Sequence, residues 1–548
     1  MLACSALVAC TNDDLLEENN QQNGEKAFIA VNIVNSNANS RGTGVDKDGN
    51  LTFENGTTDE NAFDNATFFF FDNSGNPYIV SDGKSYVTKT ETEMGMEEST
   101  GNVEEFSSPV LVINKSQNVP PQKLLVVLNA PSALTTTNPT LSYLREAVAA
   151  YGLTVSEDDK PKVTYTTGSK FVISNSVYKN EVTGAVVDAV DLTAANIAPD
   201  AATANLNPVI VYVERTVAKV KVTDVRTGTA TSVDETVKDE AGNDVAIHAQ
   251  IVGWKVTNIT SETNLLKKID ASWTTDALGL VWNNAANYRS YWANTEDKAV
   301  VHPWAYVDLD NKAGSFDYYF ENTKANVELV YDETTGNIKS GTHNKSQLLV
   351  AVKLVASTDV ANTSATGVTI CEWFGTKYTL KGLKTAIANS LNTQIYYKDT
   401  KASILPDHIT FYQESEDKGS KRYVSYATLD NADNTLTDAT FIDADGNPLT
   451  LAEVNKKLAA IHPALIWNDG MSYYYIDIEH FGTGVTSHGL VRNHLYDITI
   501  SKIKGLGTPV YDPTKIITPE KPVDEYSFIS AKINILAWKL VKQDVTLQ

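Results

Sequence analysis

The C-terminal segment Ser527–Gln548, SFISAKINILAWKLVKQDVTLQ, begins with a strict alternation that limits what it can become. Ile529, Ala531, Ile533, Ile535 and Ala537 fall on one side, and Ser530, Lys532 and Asn534 on the other. That is the period of a β-strand with one buried face. Before it, residues 508–526 carry Pro509, Pro513, Pro519 and Pro522 and read as an extended tether. About 18 such residues at ~3.3 Å each reach ~60 Å. A strand on that tether must bury its apolar face in its own sandwich or in a neighbouring molecule.

The other end of the chain points to a neighbour. Ala27–Val34, AFIAVNIV, form a similar strand with Ile29, Val31 and Ile33 on one face. It runs into NSNANSRGTG, Asn35–Gly44, whose small polar residues cannot build a core and whose basic residue is Arg41. Such a loop is exposed and open to proteolysis. A trypsin-like cut between Arg41 and Gly42 releases the strand and opens an apolar groove. The C-terminal strand of another copy has the matching alternation to fill it, which is strand addition between subunits and builds a polymer. The displaced residues are then Ile29, Val31 and Ile33. The donor residues are Ile529, Ala531, Ile533, Ile535 and Ala537.

With 548 residues the chain is long enough for two or more full cores, and 42% hydrophobic against 21% charged residues is ordinary globular composition. A net charge of −23 argues against nucleic acid or an anionic membrane surface as partner. Abundant Tyr, Val, Thr and Ile favour strands. Three cysteines occur, Cys4, Cys10 and Cys371, so no disulfide framework is available to the body of the chain. Cys371 in TICEWFG reads as a small buried hydrophobe.

Leu7-Val8-Ala9-Cys10 has the form of a lipoprotein lipidation box, with small residues before the cysteine that accepts the lipid. Thr11, Asn12, Asp13 and Asp14 follow, an acidic stretch of the outer-surface kind. Nine residues precede Cys10, without a basic region, which is short for a working leader; the leader is expected to begin upstream. Elsewhere no segment reaches the length of a membrane span.

Along the body, turn signals separate short apolar runs, as in sandwiches. Phe68–Phe71 lead into DNSGNP (Asp72–Pro77), and Phe441-Ile442 into DADGNP (Asp443–Pro448). Gly supplies positive φ and the Asx side chains bond their own backbone, so both are hairpin turns. Helical spacing is confined to Leu141–Tyr151, Lys381–Leu391 and Leu451–Ile461. The expected organisation is leader and linker over 1–25, a removable strand over 26–41 and an N-terminal β-sandwich over 42–214. A C-terminal β-sandwich over 215–507, the tether over 508–526 and the donor strand over 527–548 complete it.

The chain resembles the fimbrillins of Bacteroidales, of the short-fimbrium major-subunit type. The resemblance is carried by Cys10, Arg41, VERTVAKVKV (Val213–Val222), GWKVTNI (Gly253–Ile259), YRSYWA (Tyr288–Ala293) and YYFENT (Tyr318–Thr323). It continues through GMSYYYIDIEHFG (Gly470–Gly482), LVRNHLYDITISKIKGLG (Leu490–Gly507) and the terminal ILAWKLVKQDVTL. The resemblance implies an all-β fold of two transthyretin-like sandwiches with a few short helices and a C-terminal donor strand. It further implies delivery to the outer membrane as a lipoprotein lipidated at Cys10, and arginine-specific cleavage at Arg41. The partners it implies are other copies in a head-to-tail polymer, fimbrial anchor and tip subunits, and the arginine-specific protease.

No GxSxG, HExxH, phosphate loop or paired CxxC occurs, so no enzyme, cofactor or metal site is expected. Asp46-Lys47-Asp48-Gly49-Asn50 has its Gly at position four, where a calcium loop needs it at six, and is better read as a turn. Glu479-His480 reads as a solvated or packed pair, and Tyr473-Tyr474-Tyr475 as core plus sheet surface more than a glycan platform. Two functions remain: a fimbrial shaft subunit, or a monomeric lipid-anchored adhesin or glycan-binding lipoprotein with its last strand folded at home. A tip or accessory subunit is a variant of the first.

Overall fold

The computed structural model describes residues between 25 and 539. Left out of the description are 36–43, 46–50, 95–103, 116–118, 150–152, 156–160, 164–169, 180–184, 270–292, 332–337, 357–364, 414–423, 481–488, 520–527 and a few single positions. Cys10, Arg41, Gly42, Asp46–Asn50 and most of YRSYWA therefore lie outside the described residues. The expectation of an all-β fold with few short helices holds.

Eight strands build most of the first sheet. They are β1 (Glu25–Asn35), β2 (Asn65–Phe71), β3 (Tyr86–Thr90), β4 (Glu104–Ser107), β5 (Val110–Lys115), β6 (Lys123–Leu128), β7 (Ile173–Asn175) and β8 (Val209–Arg215). Their order is β3-β2-β6-β7-β8-β1-β4, with β5 also paired to β1. The Phe run in β2 does not alternate because both its faces are covered. Phe68 and Phe70 enter the main core with Leu124 and Val126. Phe69 and Phe71 pack on the opposite side with Leu125, Val127 and the short helix α1 (Leu141–Glu146). Only the first part of the expected Leu141–Tyr151 helix forms, because Val148–Ala149 pair as a strand with Thr263–Asn264.

The chain leaves this sheet at Thr216. A six-stranded sheet follows, holding β9 (Val217–Asp224), with its other members named below. Facing it is an eight-stranded sheet that includes β10 (Ser232–Lys238) and β11 (Asp244–Thr257). The six-stranded sheet gains β12 (Phe316–Phe320); the eight-stranded one gains β13 (Gln347–Val355), β14 (Ile370–Trp373), β15 (Thr376–Thr379), β16 (Leu465–Trp467) and β17 (Met471–Asp477). Last come β18 (His494–Lys504) and β19 (Phe528–Lys539), both in the six-stranded sheet. Between the two sheets lie Val220, Val222, Trp254, Val350, Val352, Tyr474, Tyr496, Ile498 and Ile500, all buried. In GWKVTNI, a Cβ on Gly253 would sit 1.6 Å from the Leu309 carbonyl oxygen, so no side chain fits there.

A third core was not legible as a unit. It joins helix α2 (Leu380–Ser390) and helix α3 (Leu451–Ala459) to Ile395, Ile404, Ile409 and Phe441, with Cys371 among them. Both helices stand where the apolar spacing put them. α3 opens on a capping box: the Thr450 hydroxyl accepts from Glu453 N–H, and the Glu453 carboxylate accepts from Thr450 N–H at 2.8 Å. Burial pushes the Cys371 thiol up to about 12, in keeping with a packing role.

The expected turns have one construction, used three times. In Asp72–Asn76, Asp239–Asn243 and Asp443–Asn447 the aspartate accepts from the backbone N–H groups two and four residues on and from the asparagine amide. Gly75, Gly242 and Gly446 supply the positive φ. The asparagine amide and those N–H groups hold all three carboxyls below the usual range. Asp46-Lys47-Asp48-Gly49-Asn50 repeats the residue types at the same spacing.

Candidate strand-exchange site

β1 lies inside its sheet. Its first half pairs antiparallel with β5, Ala27 opposite Ile113 and Ile29 opposite Leu111. Its second half runs parallel to β8, Val31 opposite Val209 and Ile33 opposite Val211, and antiparallel to β4. Ala27, Ile29, Val31 and Ile33 are fully buried among Phe68, Phe70, Leu124, Val126, Val209 and Val211. Each of the three larger side chains contributes roughly 1.5–3 kcal/mol of gross burial. Removing β1 strips hydrogen-bond partners from strands on both sides and opens the N-terminal core. The opposite face of β1 is closed as well: Ala30 is buried against Ala198 and Ala204, and Phe28 and Ala198 exchange two backbone hydrogen bonds of 2.9 Å.

In the intact chain β19 is seated at home. It pairs antiparallel with β18, so that Ile529 stands opposite Ile503, Ala531 opposite Ile500, Ile533 opposite Ile498, Ile535 opposite Tyr496 and Ala537 opposite His494. All five β18 partners are buried. A bulge between Ile500 and Lys502 skips one residue, which keeps the apolar positions of β18 in step with the alternation of β19. Ala537–Lys539 also pair in parallel with Phe53–Asn55. The paired segments Gly44–Val45 and Leu51–Asn55, counted with the N-terminal sandwich from sequence, thus sit in the C-terminal six-stranded sheet. Arg41 falls in the connection between β1 and this sheet.

The sequence motifs meet at a buried polar joint where the two sandwiches touch. Lys267 pairs with Glu214 of β8 at 3.1 Å, and Arg492 with Glu321 at 2.5 Å. Arg492 also donates to the carbonyls of Asn264 and Leu265. Close by, Lys219 of β9 binds Glu60 at 2.8 Å, and the Tyr318 hydroxyl donates to the same carboxylate. Arg215 Nε donates to the Glu60 carbonyl. Burial pushes Glu214 up and Lys267 down, each against the attraction of the other. At Glu60 burial also acts upward, but Lys219, Tyr318 and the Thr57 N–H outweigh it and the carboxyl is lowered. VERTVAKVKV, YYFENT and LVRNHLYD therefore carry the charges of a structural joint, a role their spacing in sequence could not reveal.

Of the remaining candidates, His480 is a packed residue whose Nδ1 shares a hydrogen bond of 2.8 Å with the Tyr496 hydroxyl, and its neighbour Glu479 is exposed. Tyr473 and Tyr474 are core, with the Tyr474 hydroxyl donating to the Gly505 carbonyl. Among the described residues, no group of three or more His, Cys, Asp or Glu is placed to hold a metal, and no helix is long and apolar enough to cross a membrane.

The architecture is that of an all-β protein with an enclosed first strand and a terminal strand paired to β18; the expected tether is not loose over 508–519, where Thr508–Pro509 pair with β17 and Val510 and Ile517 are buried. The family model for the C-terminal region of fimbrillin, the type IV major fimbrial subunit protein, matches residues 466–544, from β16 through β19. Over those residues the chain is similar to fimbrillin. No curated protein matches the chain. Among solved structures it aligns with a fimbrilin of Porphyromonas gingivalis W83 at 12% identity and a TM-score of 0.36, over 94% of this chain and 99% of that one. It aligns with the tip fimbrial protein Mfa3 of Porphyromonas gingivalis at 11% identity and 0.31, over 94% and 100%. A putative cell adhesion protein of Bacteroides eggerthii gives 11% and 0.31, over 95% and 99%. The likeness to fimbrillin is carried by residues 466–544.

Proposed function

We propose that this chain is a structural subunit of a cell-surface fimbrium, without enzymatic activity, that polymerises head to tail by strand exchange. It is exported as a lipoprotein lipidated at Cys10 and cut between Arg41 and Gly42. The cut frees β1, and residues 527–548 of the next copy take its place. The observation that carries this reading is the position of β1: an interior strand of its sheet with a fully buried apolar side, on a chain whose far end repeats its alternation. While β1 is in place the groove is full, so the uncut form cannot polymerise. The polymer is held at the outer membrane by an anchor subunit and finished by a tip subunit, and serves adhesion.

A second reading has its own support. The long register between β18 and β19 is what a monomeric adhesin, or a tip or accessory subunit, would keep permanently. Trypsin treatment separates the two. The shaft reading expects one cut after Arg41, SDS-resistant ladders, and loss of the ladders when the chain ends before Ser527. A cut protein that stays monomeric favours the adhesin.

A further inference from the structure

The vacated slot does more than accept an alternating strand, because one position on its outer wall admits only a small side chain. Ala30 is buried, facing away from the main core, against Ala198 and Ala204. Ala204 belongs to the short helix Ala201–Ala204, which is pinned where Asp200 accepts from the Thr203 N–H at 2.8 Å. Ala198 exchanges two hydrogen bonds with the backbone of Phe28, and once β1 has left those two groups are there for the backbone of the incoming strand. A larger residue at position 30 would have to push this wall away, and close-packed interiors resist that.

Resting on the exchange proposed above, we infer that the incoming strand seats in one register, set by Ser530 at the Ala30 position. The residues on that side of the C-terminal strand are Phe528, Ser530, Lys532, Asn534, Leu536 and Trp538; Ser530 alone is close to alanine in size. Placing it there aligns SFISAKIN (Ser527–Asn534) with AFIAVNIV (Ala27–Val34). Phe528 then replaces Phe28, Ile529 replaces Ile29, Ala531 replaces Val31 and Ile533 replaces Ile33. Three of the eight positions are identical, and they include Ile29 and Ile33 of the buried face. A shift of two residues brings Lys532 or Phe528 against Ala198 and Ala204. A shift of one turns Ser530 and Lys532, or Phe528 and Ser530, into the core, since each step exchanges the faces. The wall therefore selects the register, and the repeat supplies the residues that fit it.

Cysteine pairs test the register in the cut, polymerising protein. In β1 the position opposite Leu111 is Ile29, so Leu111→Cys with Ile529→Cys is expected to give disulfide-linked ladders between copies. Leu111→Cys with Ala531→Cys reports the register shifted by two. Ladders linked through the second pair, or polymer linked through neither, overturn the register while leaving strand exchange standing. Cut protein that never polymerises overturns both. Independently, Ser530→Leu should lower polymer yield at least tenfold and Ser530→Ala by less than twofold, with unchanged melting of the uncut Ser530→Leu protein showing that it folds. Equal yields from Leu and Ala would sink the small-residue gate.

Discussion

β1 and β19 have the same kind of sequence and opposite situations. β1 is paired with β5 along its first half and lies between β8 and β4 in its second, and its apolar side chains complete the core of the N-terminal sandwich. β19 has a full-length partner on one edge, β18, while Phe53–Asn55 cover only its last three residues on the other. Alternation fixes that both are strands; the surroundings decide which is enclosed and which lies beside one long partner. A strand held along one edge opens at lower cost than one enclosed in a sheet.

The harshest way to break this contrast is to remove both strands. A chain spanning residues 42–526 should lose the cooperative melting of its N-terminal sandwich and be digested there, because nothing fills the slot. A cooperative two-sandwich melt would show that β1 is dispensable. The contrast sharpens with single changes. Ile29→Ala should destabilise the uncut protein by ~2–5 kcal/mol in urea titrations. Ile533→Ala should cost the uncut protein clearly less, yet weaken the polymer strongly.

At the joint, Arg492→Met leaves Glu321 buried without its cation and is expected to cost ~3–5 kcal/mol, most of it recovered when Glu321→Gln is added. Uncoupled melting of the two sandwiches in the single variant would show that the joint holds them as one unit. Glu60 adds a pH signature. Its carboxyl is lowered in the folded chain, so its contribution is present above the unfolded value near 4.5 and is lost as pH falls below it. Lys219→Met should flatten that part of the Tm-versus-pH curve. The smallest effect concerns Cys371: in cut protein, which lacks Cys4 and Cys10, alkylation at neutral pH should be negligible until denaturant is added. Rapid labelling of native protein would place Cys371 outside the core.

Much of the fold was legible because local chemistry repeats. The Asx-Gly turns at Asp72 and Asp443 showed themselves through residue types, and a third at Asp239 uses the same pattern. The helices after Thr379 and Thr450 follow from apolar spacing and a hydroxyl at each N-cap. The Leu141–Tyr151 expectation failed in its second half because a strand partner from residues 263–264 overrode local spacing. The joint was invisible for a related reason. Glu214 and Lys267, or Glu321 and Arg492, become neighbours only when distant strands pack, and each alone looks like a surface charge.

By itself the sequence determined that both ends of this chain are β-strands with one apolar face, because a period of two depends only on neighbours along the backbone. It also determined the turns, where an aspartate and a glycine satisfy the chain within five residues. Only the tertiary structure decided that β1 is enclosed, that β19 rests on β18, and that the motif charges meet in a buried joint. Those outcomes depend on contacts between residues tens to hundreds of positions apart, and periodicity carries no information about which partner a strand's edge will find.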